Sequence, residues 1–157
     1  MICGIDPGLT GGISFLDGDA GYLKVYKMPV VSKIIGGKKK KFMNCIKFGS
    51  ILLDENPNKI IIEKQQPMPR QGVVSTFSLG FQYGICIGTF IALGFEYEEV
   101  RPRDWKKDMG ITSDKEHARE VATKLFKSDE HWPLKSHDGL AESALIAWWG
   151  RHFYSDF

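Results

Sequence analysis

Cysteine is scarce: Cys3, Cys45 and Cys86 are odd in number, far apart and without a CxxC pair. Neither a disulfide framework nor a zinc site is indicated, and a reducing cytoplasm is the expected compartment. An excess of one charge is also lacking. Lys and Arg number 21 against 19 Asp and Glu, a net +2, so attraction to nucleic acid through global charge is excluded and must come from local patches. The longest apolar stretch, Ile85 to Phe95, is broken by Gly88, Thr89 and Gly94. It is too short to span a bilayer, and the N-terminus lacks the basic flank and apolar core of a signal peptide, so a soluble protein with no membrane partner is expected. No repeat or long linker divides the 157 residues, of which 43% are hydrophobic and 25% charged. One domain over residues 1–157 is the expectation, burying about two thirds of the surface of the unfolded chain.

What is present begins with short apolar runs. Ile2–Ile5, Gly12–Leu16 and Tyr22–Met28 read as three strands, with Asp17-Gly18-Asp19 as the turn between the second and third. Ser32 to Lys41, with Gly36-Gly37 and four consecutive lysines, reads as a loop, followed by a helix from about Asn44 to Glu55. Lys59-Ile60-Ile61-Ile62-Glu63 is too apolar on both sides for an edge strand and belongs in the middle of a sheet covered on both faces. After Pro67, Pro69 and Gly72, apolar and small residues keep helical spacing from Val74 to Ala92, over about five turns. Phe95–Val100 is a fifth strand, Asp114 to Lys127 a helix capped by Ser113 or Asp114, and Asp138 to about Phe153 the last helix.

Four acids stand out in that frame. Asp6 ends an apolar strand and is followed at once by Pro7-Gly8, where a strand meets a tight turn. Glu63 closes its β-branched run, an expensive place for a charge unless a cation meets it. Asp138 and Glu142 are four apart on one helix and so face the same way. Like charges at that spacing repel by roughly 0.2–0.5 kcal/mol in an isolated helix, and a divalent ion reverses the sign. Such acids suit Mg2+, with Mn2+ as substitute. Two ions about 4 Å apart would activate water and stabilise the leaving oxygen of a phosphodiester cut.

The order βββαβαβαα, with acids on strand one, strand four and the last helix, resembles the RNase H-like fold, an α/β architecture with a five-stranded mixed sheet flanked by helices. More narrowly, Gly4-Ile5-Asp6-Pro7-Gly8, Ile61-Ile62-Glu63-Lys64-Gln65, Leu79-Gly80-Phe81-Gln82-Tyr83-Gly84, Val100-Arg101-Pro102-Arg103-Asp104-Trp105-Lys106 and the segment His137 to Ala147 resemble the RuvC family of Holliday junction resolvases, particularly its phage-type members. The resemblance implies a homodimer that nicks two opposed strands of a four-way DNA junction, with Asp6, Glu63, Asp138 and Glu142 as metal-binding catalytic acids. The chain departs from the bacterial pattern in two places. The last two acids there are typically aspartates three apart, and the loop after the strand-four acid usually carries an aromatic, where Lys64 to Val73 offers only Met68 as a large apolar group.

The remaining candidates are cations. Lys38, Lys39, Lys40 and Lys41, beside the two glycines, suit a loop that folds onto DNA, the duller reading being a solvated run. Arg101, Arg103, Lys106 and Lys107 surround Trp105, read as core more than as a base-stacking platform. Lys64 and Arg70 would lie near the scissile strand, and His137 adjoins an acid and would assist proton transfer. Gly80, Gly84 and Gly88 form a small-residue ridge that something must approach closely, the chain's own sheet before a second subunit. Other functions compete: an RNase H-like nuclease cutting RNA or RNA–DNA hybrid, a non-catalytic nucleic-acid module, or an actin-like or sugar-kinase ATP-binding domain, whose first phosphate loop Gly4 to Gly11 resembles. That last class needs two such domains around its nucleotide.

Overall fold

A computed structural model describes residues 1–18, 22–112 and 114–154. Strands β1 (Ile2–Ile5), β2 (Gly12–Asp17) and β3 (Tyr22–Lys27) run antiparallel in sequence, while β6 (Lys59–Glu63) lies parallel to β1 on one side and to β7 (Tyr97–Val100) on the other. The sheet order is β3-β2-β1-β6-β7. Glu63 therefore ends an interior strand, as the apolar run before it requires. Of the expected turn, Gly18 takes a positive φ of 69°, while Asp19 lies outside the described residues, as does Ser113. Asp114 caps the fourth helix by accepting from the Glu116 amide at 3.0 Å.

Period-two alternation sorts the strand side chains between two cores. Cys3, Ile5, Ile60 and Ile62 face α1 (Cys45–Glu55) and α2 (Val73–Leu93), where Phe48, Leu52, Cys86 and Phe90 are buried. Ile2 and Ile61 face the other way, toward α4 (Lys115–Phe126) and α5 (Asp138–Phe153), with Trp105, Trp132, Leu140 and Leu145. Helix α5 packs across β1 and β2. It comes so close that a Cβ on Gly4 would lie 2.3 Å from both the Ala147 nitrogen and the Ser143 carbonyl oxygen. A buried hydrogen bond of 2.7 Å between the Ser14 and Ser143 hydroxyls fastens helix to sheet at the same level.

Four expectations are corrected. Ser32 to Lys41 is not a loop: β4 (Val30–Ile35) and β5 (Lys38–Met43) form a separate antiparallel ribbon. Gly36 and Gly37 are its turn, with φ of 58° and 73°, the positive pair that a tight two-residue hairpin turn demands. The lysine run is thus a strand, its side chains alternating between the ribbon's faces. Arg101 to Asp108 also folds further than expected, because Pro102 opens the short helix α3 (Pro102–Asp108). Among the described residues the glycine ridge of α2 packs on nothing beyond its own helix, since a Cβ on Gly80, Gly84 or Gly88 would meet no other atom within 4 Å. Finally, α2 starts early enough, and carries so few charges, that by length and composition it could cross a membrane. Its buried residues, Gln82, Cys86 and Phe90, lie four apart and dock it on the sheet, leaving Val73, Val74, Phe77 and Ile91 largely exposed.

Candidate active site

The acids converge where β1, β6 and α5 meet. Backbone geometry sets Asp6: its amide donates to the Gly12 carbonyl at 3.1 Å, and its Oδ1 accepts from the Gly8 amide at 3.2 Å. Helix α5 begins on top of it. A Cβ on Gly139 would fall 2.6 Å from Asp6 Oδ2, 2.7 Å from Gly11 Cα and 2.8 Å from the Thr10 carbonyl oxygen, so only glycine lets Asp138 and Glu142 be carried in beside Asp6. This role of Gly139 was legible only as a glycine between two acids.

Glu63 is 8% exposed and is held at both oxygens. The fully buried Trp105 indole donates to Oε1 at 3.0 Å, and Gln65 Nε2 donates to Oε2 at 3.3 Å. Trp105 is core, as its size predicts, and also fixes an acid of the site, which sequence reasoning missed. Its signal was a tryptophan set among seven charged or proline residues, Arg101 to Asp108, just after a strand. The next residue completes the group: Lys106 Nζ lies 2.6 Å from Glu142 Oε1 and 5.1 Å from the centre of the Trp105 ring.

Electrostatics tie the four acids together. Burial first, and then the charges of Glu63 and Glu142, push the Asp6 carboxyl from its ordinary 3.8 up to about 7, against the pull of the Gly8 amide, with Asp138 adding a smaller upward push. Burial and the Glu142 charge raise Glu63 above the usual range, while the Trp105 indole, Lys106 and Gln65 draw it back. Among the described residues no three His, Cys, Asp or Glu side chains stand close enough to enclose an ion as they are. The donor set nevertheless fits a hard divalent cation. Carboxylates near enough to raise the proton affinity of Asp6 and Glu63 leave the site short of positive charge, and oxygen-only ligands suit magnesium. Asp6, Glu63, Asp138 and Glu142 would hold it, with Lys106 partly filling the deficit at Glu142.

The other candidate residues spread outward from this centre. Lys64 turns away to pair with Glu99 at 2.6 Å. Arg101 and Arg103 flank Asp104 at 3.9 and 3.6 Å. Lys107 is exposed, as are Lys38 to Lys41 along β5 and Arg70, whose positive φ of 66° marks a tight loop. His137 ends the 3-10 turn Lys135–His137 that leads into α5. Its Nδ1 is buried without a hydrogen-bond partner, and burial, followed by the charges of Lys27 and Arg119, lowers its pKa.

No protein-family model matches the sequence, and no curated protein matches it significantly. Solved structures do match. A Thermus thermophilus RuvC structure superposes with a TM-score of 0.62 at 19% identity, covering 96% of this chain and 92% of that one. A T. thermophilus RuvC in complex with a Holliday junction substrate gives 0.60 at 16% identity, with the same coverage of 96% and 92%. The mixed five-stranded α/β sheet with helices on both faces is the RNase H-like fold of those RuvC structures, shared over nearly the whole chain.

Proposed function

We propose that the chain is a divalent-metal-dependent endodeoxyribonuclease that resolves four-way DNA junctions by paired nicks. One observation carries the reading: acids from three separate elements meet at the Asp6 turn, where Glu63, Glu142 and Asp138 raise the proton affinity of Asp6 and Glu142 raises that of Glu63, with Lys106 as the cation among them. A fold shared with a RuvC seen on a Holliday junction substrate supports the choice of DNA and of junction.

In this reading magnesium, when bound, supplies an activated water and neutralises charge on the reacting phosphate. The residues supply the frame. The Gly8 and Gly12 backbone orients Asp6, Trp105 and Gln65 hold the two oxygens of Glu63, and Lys106 pairs with Glu142 next to the other acids. As an ammonium at the edge of the acid group, Lys106 also stands ready to meet a phosphate oxygen.

The active species is a homodimer, because a four-way junction offers two symmetry-related strands and one site cannot cut both at once. The exposed face of α2 suits the contact. Val73, Phe77 and Ile91 are 85%, 75% and 65% exposed, and Gly80, Gly84 and Gly88 on the same face leave room for close approach. An apolar patch of that kind marks an interaction surface.

The test is cutting of a four-way junction, a plain duplex and an RNA–DNA hybrid across a magnesium titration. Asp6→Asn, Glu63→Gln and Asp138→Asn should each abolish junction cutting and leave junction binding in calcium nearly intact, since affinity rests on phosphate contacts. Cutting in excess chelator, or full activity in any of the three variants, overturns the metal-acid mechanism. Preference for the hybrid overturns the substrate. A protein that sediments as a monomer with and without junction DNA overturns the dimer.

A further inference from the structure

The backbone of Thr10 and Gly11, which touches Gly139 beside Asp6, also walls a cavity of 310 Å3 on the flank of the acid site. Residues from distant parts of the chain close it: Lys27 from the end of β3, Lys41 from β5, and Ser136 and His137 from the turn before α5. Among the described residues no carboxylate lines it. Lys27 and Lys41 both line it, beside Thr10, Ser136 and apolar residues such as Met28 and Leu140, and among the described residues neither lysine forms an ion pair with an acid. His137 lines the same space, and its Nδ1 is a buried polar atom with no hydrogen-bond partner among the described residues.

We propose that this cavity is an oxyanion subsite that takes a backbone phosphate of the cleaved strand, next to the phosphate held at the acids. The proposal rests on the nuclease reading and adds a second anchoring point to it. Ammonium and hydroxyl donors without an acid are the chemistry that holds phosphate oxygens. The acid group gives a strand a strong reason to bind there too, because four carboxylates repel every phosphate that is not screened by metal. A positive cavity one residue of backbone away offsets that repulsion and fixes the direction in which the strand crosses the acids. The chemistry of a free phosphate would be the same, and the experiment separates the two sources.

Binding of a four-way junction in calcium is measured by fluorescence anisotropy between 50 and 200 mM salt, for wild type, Lys27→Ala, Lys27→Gln and, as a control on α4, Lys124→Ala. Folding is checked by circular dichroism. Both Lys27 variants should weaken binding several-fold and lower the slope of log affinity against log salt by about 0.9, one phosphate contact, with the control unchanged. Junctions carrying one neutral methylphosphonate at each linkage in turn then locate the contact. One linkage near the cut should weaken wild type and make no further difference to Lys27→Ala. Unchanged affinity and slope in folded Lys27 variants, or losses that add at every linkage, overturn the subsite. Saturable binding of inorganic phosphate at Lys27 with no change in the DNA slope overturns the strand as its occupant. If acid variants still cut while the Lys27 slope falls, the nuclease reading fails and the phosphate contact stands; if acid variants are dead and the slope is unmoved, the reverse holds.

Discussion

Helices α5 and α2 lie on opposite faces of one sheet and both interrupt apolar sequence with glycine, yet those glycines meet opposite surroundings. A Cβ on Gly139 would strike Asp6, Gly11 and Thr10, and one on Gly150 would come 2.6 Å from Ile61, whereas one on Gly80, Gly84 or Gly88 would meet nothing within 4 Å. In α5 the missing side chain is what lets helix, sheet and acids come together. In α2 it is a helix-propensity cost of up to about 1 kcal/mol each with no return inside the chain. Among the described residues nothing offsets that cost for α2, and the proposed contact with a second copy would supply the return.

The comparison breaks most readily at Gly139. Gly139→Ala puts a methyl group against backbone and carboxylate that cannot turn aside, and overpacking of that kind costs typically 1–3 kcal/mol. The larger effect is on chemistry, because whatever gives way moves Asp6 or the start of α5. Junction cutting should be lost and thermal denaturation should shift downward. A Gly139→Ala protein that melts and cuts like wild type would show that α5 is not pressed on the acids.

Next in size is Trp105→Phe, which keeps a ring in the core and removes only the N–H that reaches Glu63. Partners that orient a metal-ligand side chain are typically worth 10–100-fold in metal affinity or activity. The expected result is a loss in that range, seen as a higher magnesium requirement, with calcium-supported junction binding and circular dichroism unchanged. Unaltered magnesium dependence would reduce Trp105 to packing.

These two residues also mark where sequence stops being legible. Strand β6 and helix α5 could be read because their apolar periods are long and uninterrupted, and from them came Glu63, Asp138 and Glu142. Gly139 could not, since what it does depends on a loop 128 positions away at Gly11. The ribbon β4–β5 was hidden because Lys38 to Lys41 show neither β-branched side chains nor alternation. Its Gly36-Gly37 turn was the available signal, and it was outweighed by the charge run. The indole hydrogen bond to Glu63 was hidden because a tryptophan among lysines and arginines, even when read as core, does not say which buried group its N–H meets until α3 is seen to tuck it inward.

The third effect is a pH dependence confined to the α5 side of the molecule. Asp6 in the folded, metal-free protein holds its proton up to about pH 7, against an ordinary 3.8. A raised pKa in the folded state contributes stability that is fully present below about pH 4 and is lost as pH rises through about 7. Metal-free wild type should therefore lose a few degrees of melting temperature relative to Asp6→Asn between pH 4 and pH 8. Magnesium should abolish that relative loss and release protons when it binds near pH 6.5, visible as a calorimetric heat that varies with the buffer. A wild-type minus variant difference that stays flat with pH would take Asp6 out of the acid cluster.

The smallest effect is the one that separates the two helices by sign. Gly84→Ala adds a methyl group where no atom of the chain lies within 4 Å, so in dilute monomer it should stabilise the fold by up to about 1 kcal/mol through helix propensity alone. At the proposed α2 contact the same methyl group pushes two close-packed helices apart, so self-association should weaken while the monomer gains stability. Thermal denaturation at low protein concentration and sedimentation across a concentration series read the two quantities separately. A rise in melting temperature with weaker association places the glycine face between copies. A rise with unchanged association leaves the face outside the dimer contact, and a fall at every concentration would mean that Gly84, like Gly139, is packed within its own chain.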